Sequence, residues 1–385
     1  MSFARPLVLL PLLLAACGGP PPVVERTLPG GIPEVINNAP AGWPGGRPWR
    51  ATEDLVIGDT AAGAPASFED IRDFTVDAQG TIYVVDRGAE RIAVFDSTGA
   101  PRGSFGRKGE GPGELADPIG LAIDGRGRLA LVDQGLARLT LFDGNGTVLG
   151  SARRGFAGFG VGHWQGGVDT AGRLVELLAA PGEVVRWSLV TLDPDNLTPR
   201  DTAPLPAYTP AGIELEHRSA NGISRIQAYT PYTPQLYWAL DPRRAVWWAV
   251  SDRYRVVRQD WRGDTLLVLE RAWTPAPVTA DERDTVLADL EWFRRQGGTV
   301  SASDIPAHHP ALDALVVDQA GNLWVEQFAR HRPRAWDVFS PAGRWYGTVT
   351  LPRHRTYLIV RGDRFYGLVH DEDGRPQVVR GRLDR

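Results

Sequence analysis

Val76-Asp77-Ala78-Gln79-Gly80-Thr81-Ile82-Tyr83-Val84-Val85-Asp86 is repeated, 47 residues on, as Ile123-Asp124-Gly125-Arg126-Gly127-Arg128-Leu129-Ala130-Leu131-Val132-Asp133. The same offset carries Arg91 onto Arg138, Phe95-Asp96 onto Phe142-Asp143 and Gly99 onto Gly146. Each unit reads as an apolar strand, an Asp-x-x-Gly turn, an apolar strand ending in Asp, an Arg-led strand, a Phe-Asp-x-x-Gly turn and a last strand. Four short strands with hairpin turns in fewer than fifty residues are the mark of a repeated antiparallel sheet.

The pattern continues outward. Asp169, Asp241 and Asp318 each stand five residues before an apolar strand position, as Asp77 and Asp124 do. The second turn recurs at Gly99, Gly146, Asn196, Gly263 and Gly343, with Asn in the position that accepts Gly first and Asn next. A sixth unit supplies only three strands: Tyr357 to Val360, Phe365 to Val369 and Gln377 to Leu383. Its missing strand is found near the other end, at Asp54-Leu55-Val56-Ile57-Gly58. A ring whose last blade takes a strand from each end has no free edge. The expected fold is all-β, a six-bladed β-propeller over residues 49–385, interrupted at about 200–228 and 274–307. In the second interruption Thr279 and Glu282 form a capping box, Val286, Leu287, Leu290 and Phe293 share one face, and Gly297-Gly298 stop a helix between blades four and five. That stripe is expected to pack on the propeller.

Ahead of the ring, Arg5 and the apolar run Pro6–Ala16 read as a secretory signal over residues 1–17, too short to span a bilayer. The run ends in Leu14-Ala15-Ala16-Cys17, which resembles the lipobox of bacterial lipoproteins. The resemblance implies an acylated, palmitate-bearing Cys17 and a membrane anchor. Gly18 follows instead of the Asp that resembles an inner-membrane retention signal, so the expected address is the cell envelope, outer membrane before inner. Residues 18–48 hold eight prolines among Gly and small residues and are expected to be an extended tether.

Composition removes several function classes. Forty-two basic against 46 acidic residues, a formal charge of −4, leave no excess to collect nucleic-acid phosphates. A single Cys excludes a disulfide framework and a Cys-based zinc site. Neither G-x-S-x-G nor H-E-x-x-H is present, and the Gly-rich 106–113 lacks the Lys and strand-to-helix setting of a phosphate loop. The pairs Asp86/Arg91 and Asp133/Arg138 recur at one place in successive units and read as stitching between neighbouring blades.

The stretches V-V-D-R-G-A-E-R-I-A-V-F-D-S-T-G (84–99) and G-R-K-G-E-G-P-G-E-L (106–115) resemble NHL repeats. With the lipobox and R-x-W-x-x-x-P-V-T-x-x-E-R (Arg271 to Arg283), residues 50–385 resemble the bacterial six-bladed propeller lipoproteins. That resemblance implies a fold and an envelope location and carries no catalytic motif. Six-bladed relatives include metal-dependent lactonases and a zinc-using amidating lyase.

By analogy with propellers, ligands meet the loops that lead into each innermost strand. Those positions are Arg72, Asp117, His163, Trp164, Tyr232, His308, His309 and Arg355, with His331 and Arg332 on second-to-third loops. His163, His308 and His309 are the candidate ligands for a calcium or zinc ion, and Asp117 a candidate acid beside them. Two readings follow. One is a lipid-anchored binding or scaffold module for an envelope protein, peptide or glycan; the other is a metal-dependent lactonase-type hydrolase or lyase working in the channel.

Overall fold

The computed structural model describes residues 21–58, 64–154, 164, 166–180, 185–219, 222–329, 334–353 and 357–385, with only the backbone between 214 and 228. Six sheets of hydrogen-bonded strands in chain order make the six blades of a β-propeller. Blade one runs Ile71–Val76, Ile82–Asp86, Arg91–Phe95 and Pro101–Phe105. Blade two spans Pro118–Arg153, blade three Gly166–Pro204, blade four Leu236–Arg271 and blade five Leu312–Thr350. Blade six is Leu358–Arg361, Arg364–His370 and Pro376–Asp384, completed by Arg50–Ile57. The closing strand pairs antiparallel from Val378↔Ile57 to Asp384↔Arg50, four residues longer at its start than the sequence indicated. Trp49, just before it, is buried, and the Arg385 guanidinium lies 4.5 Å from its ring while bonding Asp318 of blade five at 3.0 Å.

The core is divided among the junctions. Phe74, Val76 and Phe95 of blade one meet Tyr366, Leu368 and Val378 of blade six. Val85, Ile92, Leu121 and Leu131 join blades one and two, and Trp247, Val256, Leu312 and Val325 join blades four and five. Alternate residues of each strand face opposite neighbours, so these strands are apolar almost throughout.

The Asp-x-x-Gly motif works as a wired turn. Asp77 Oδ1 accepts from the backbone N–H of Gln79 (2.9 Å) and Thr81 (2.7 Å), and Asp124, Asp169 and Asp318 repeat the pattern. Gly80, Gly127, Gly172 and Gly321 take the left-handed backbone that closes it, whereas blade four places Arg244 there at φ 55°. The second turn of blade three departs from expectation. Its left-handed residue is Leu197 (φ 59°), not Asn196, because the turn is one residue longer and Leu197 N–H bonds the Asp193 carbonyl.

Three further readings are corrected. Residues 18–48 are not an extended tether throughout: Val23–Leu28 and Ile32–Asn37 form a hairpin, and the second strand pairs in parallel with Val268–Arg271 on blade four. Pro29-Gly30-Gly31 makes its turn, while β-branched residues on either side supply strands that proline counting concealed. Asn37 is fully buried: its side chain donates to the Glu270 and Gly343 carbonyls and accepts from Trp345 N–H, clasping blades four and five. In 200–228, residues up to Pro204 belong to the outer strand of blade three, and Ile213–Ser219 with Gly222–Ala228 forms a separate hairpin. Asp86 and Asp133 bind inside their own blade, on the amides leading into its first strand. Arg91 bonds Asp86 and Ser67, and Arg138 bonds the carbonyls of Glu110, Gly111 and Glu114.

The helix appears as expected, as α1 (Ala280–Asp289) with both capping-box bonds, continued by α2 (Glu291–Arg295). Val286, Leu290 and Phe293 pack with Val278, Val300 and Ile305 of the same connection and with Tyr232, just ahead of blade four.

A chain that starts at Pro21 is expected to melt like the full chain, and one that starts at Gly58 to lose its cooperative transition, checked by calorimetry. Arg244→Gly relieves a left-handed arginine and is expected to stabilise by about 0.5–1 kcal/mol, after the greater freedom of the unfolded chain is counted. Urea denaturation checks that shift.

Candidate functional site

All innermost strands run the same way, from a mouth face, which carries the connections between blades and the second-to-third loops, to a turn face carrying the Asp-x-x-Gly turns. Five residues before the turn Asp stand Arg72, Ile119, Trp164 and Asp313 in blades one, two, three and five. Arg72, Ile119 and Asp313 are each the extra residue of a bulge, where pairing slips between Ile71 and Asp73, Pro118 and Gly120, and Leu312 and Ala314. A bulge re-aims its side chain: Asp313 lines the central channel, whereas Ile119 is buried beside Trp164 in the core between blades two and three.

The channel holds a cavity of about 920 Å³, walled by the innermost strands of blades two to six. The wall exposes polar and apolar surface in nearly equal measure, with Trp164, Trp238, Leu240, Val316 and Ile359 among its apolar residues. Its polar centre at the mouth lies where blades four and five meet. Tyr237 donates its hydroxyl to Asp313 Oδ1 at 3.0 Å. Arg334, from the second-to-third loop of blade five, reaches Asp313 Oδ2 at 2.7 Å and Glu326 Oε2 at 2.8 Å. Glu326 stands one strand behind the wall, paired in register with Ala314, and is only 2% exposed. Its Oε1 is buried with no hydrogen-bond partner among the described residues.

Two carboxylates therefore share one guanidinium in a dry place, and the site responds by holding a proton. Burial, opposed by Arg334 and reinforced by the Asp313 charge, pushes the Glu326 carboxyl up to about 8. Burial and the same Asp313 charge raise the Tyr237 phenol far above its ordinary value. Asp313 faces the cavity with a quarter of its side chain exposed, so this end offers a carboxylate acceptor framed by aromatic and aliphatic surface.

The expected rim residues are dispersed. Arg72 and Asp117 belong to one chain of charges, Arg72–Asp70 (3.1 Å), Asp70–Arg87 (2.8 Å) and Arg87–Asp117 (3.2 Å), across the mouth of blades one and two. Trp164 is buried as a wedge between blades two and three; a Cβ on Gly120 would stand 2.2 Å from its Cβ, so only glycine fits there. Tyr232 is fully buried under the helices and offers no rim surface. His309 stacks on Tyr232 at 5.0 Å and bonds Glu282 of the capping box at 3.1 Å, which ties α1 down. His308 is exposed and its backbone bridges Pro277. His163, His331, Arg332, Arg355 and Cys17 lie outside the described residues. Among the described residues no three His, Cys, Asp or Glu side chains are grouped to hold a metal ion.

Asp313, Glu326 and Arg334 were not singled out in the sequence. Asp313 was within reach, since it stands before Asp318 as Arg72 stands before Asp77. Attention went to His308 and His309, four or five residues too early, because the helical connection delays the strand to Leu312.

Residues 70–153, blades one and two, match a family of proteins described as six-bladed β-propellers. No curated protein matches the chain in sequence. Among solved structures, a protein from Bacteroides fragilis is similar over 88% of this chain and 96% of its own, at 12% identity and a TM-score of 0.49. A gluconolactonase from Xanthomonas campestris is similar over 88% and 98%, at 15% identity and a TM-score of 0.42. The PQQ-bound aldose sugar dehydrogenase of Streptomyces coelicolor is similar over 88% and 99%, at 10% identity and a TM-score of 0.49. The activities in these names are those proteins' own.

Between the ordinary glutamate value of 4.5 and about 8, folded Glu326 keeps a proton that the unfolded chain releases. Its contribution to stability therefore falls as pH rises across that window, by up to about 1.4 kcal/mol per pH unit, and levels off above it. Glu326→Gln is expected to flatten the slope, checked by urea denaturation of both chains between about pH 5 and pH 9; an unchanged slope contradicts the assignment.

Proposed function

We propose that the protein is a lipid-anchored envelope lipoprotein with NHL-like blades, and that its propeller is a binding module taking a ligand at the channel mouth. The observation that carries this reading is the cavity of about 920 Å³ that Asp313 lines, with Tyr237 and Arg334 fixing that carboxylate in place. A wall of this kind gives apolar area for affinity and one oriented acceptor for specificity. It suits a peptide or glycan segment that presents an N–H or O–H donor to Asp313 and lays its remaining surface on Trp238 and Leu240. The lipobox ending in Cys17 supports the anchor, and Gly18 the outer membrane.

The lactonase-type reading draws no support from the positions of His308 and His309, because His309 is engaged with the helix and His308 points to solvent.

Residues 18–385, which lack Cys17, screened on peptide and glycan arrays and against envelope extracts, are expected to capture ligands that Asp313→Asn loses at least tenfold. Binders kept equally by Asp313→Asn overturn the mouth site. One zinc or calcium retained per chain after dialysis, with turnover of lactones, replaces the binding module by the hydrolase.

A further inference from the structure

We infer that the far end of the channel, at Arg361, is a carboxylate subsite, and that the ligand is the free carboxyl terminus of a peptide lying along the channel past Asp313. The inference rests on the channel-mouth reading proposed above and names the ligand's chemistry. The cavity runs the length of the channel, from Gln235 and Asp313 at the mouth to Thr170, Gln319 and Arg361 on the turn face. Asp313 stands five residues before Asp318 along one innermost strand and its turn. The two ends are therefore about 15 Å apart.

Arg361 breaks the charge pattern of its face. Blade six closes its first hairpin with the short turn Gly362-Asp363, and Val360 pairs with Phe365 as Val317 pairs with Leu323 in blade five. Arg361 thus stands where blade five has the turn carboxylate of Asp318. The other carboxylates in this end of the wall are satisfied: Asp169 by Arg173, Asp241 by Arg258 and Trp247, and Asp318 by Arg385 and Asn322, each with backbone amides besides. Arg361 is half-buried in the wall and has neither a hydrogen bond nor an ion pair among the described residues. Burial lowers its pKa, opposed only by Tyr366 and by Asp77 of the next turn, which acts on it without an ion pair. The exposed Thr170 hydroxyl and Gln319 amide, also unengaged among the described residues, add donors at the same end.

A guanidinium with its donors free and partly withdrawn from water takes an oxyanion, and its planar fork matches a carboxylate. The walls favour a peptide as the bearer of that group. Each innermost strand is the edge of its sheet, so a row of its backbone N–H and C=O groups faces the channel, and an extended chain can bond along it. At about 3.3 Å per residue, about five residues fill the distance from Arg361 to Asp313. Asp313 then accepts from a peptide N–H, while Trp238, Leu240, Val316 and Ile359 meet the side chains between. Asp313 repels a carboxylate and Arg361 an amine, so the carboxyl end lies at Arg361 and the rest of the chain leaves by the mouth.

The test is capture by the immobilised full chain, in detergent, from two pools of N-acetylated random pentapeptides, one of free acids and one of amides, read by mass spectrometry. The expected result is retention of free acids about tenfold over amides, the worth of a charge-assisted hydrogen bond. Arg361→Gln is expected to abolish that preference while amides are retained as before, which shows that the fold and the wall are intact. Arg361→Met, which keeps the aliphatic stem, repeats the test if Arg361→Gln folds poorly. Equal retention of both pools, or a preference that survives at Arg361→Gln, overturns the carboxylate subsite alone, and the mouth reading stands if Asp313→Asn loses both pools. A preference that Arg361→Gln abolishes and Asp313→Asn leaves untouched overturns the mouth reading instead. Retention of neither pool, with uronate-bearing glycans captured in their place, overturns the peptide.

Discussion

The pairing of Arg50–Ile57 with Val378–Asp384 is the constraint on which the rest depends. No blade has a core of its own; each sheet covers its neighbour, and the apolar clusters sit at the junctions. Such a ring is stable when every junction is closed, and the last one closes only if residues more than three hundred positions apart meet. The channel is a product of that closure, since its wall is contributed by strands of five blades. Asn37 adds a second clasp at the junction of blades four and five, between their outermost strands.

Charge is managed economically around the ring. On the turn face, Asp124, Asp169, Asp241 and Asp318 each have an arginine of their own, Arg128, Arg173, Arg258 and Arg385. These pairs accompany turns whose carboxylates are already satisfied by backbone amides, so they serve structure. Buried Asp337 is likewise fully engaged, by Tyr254, Arg271, Gln327 and Thr348. Glu326 is different: it is as deeply buried, shares its arginine with Asp313 and has one oxygen without a partner among the described residues. A buried acceptor without a donor costs free energy.

The sequence showed the ring because its turns have chemical requirements that repeat: Asp to accept amides, Gly to turn left, and a strand after a fixed interval. Even the closing strand was visible, through a count of strands that came out one short. The hairpin 23–37 was hidden by its prolines, since Pro29 sits in a turn and Pro33 faces a strand edge without harm. Leu197 was missed because one inserted residue moves the left-handed position along the chain. For the mouth, Arg72 and Trp164 were found by register, and the same register leads to Asp313. Glu326 and Arg334 have no comparable signature, because what makes them a site is burial and mutual distance after folding. The histidines drew notice for their chemistry, and packing turned His309 into a fastener for α1.

Native-state hydrogen exchange tests the closure most directly. If the ring is one cooperative unit locked by its last strand, the amides of Arg50–Ile57 exchange with the same opening free energy as those of the innermost strands, at the limit set by global unfolding. Contradiction would come from Arg50–Ile57 exchanging by local opening while the strands around the channel stay protected, for then the blades hold together without the clasp.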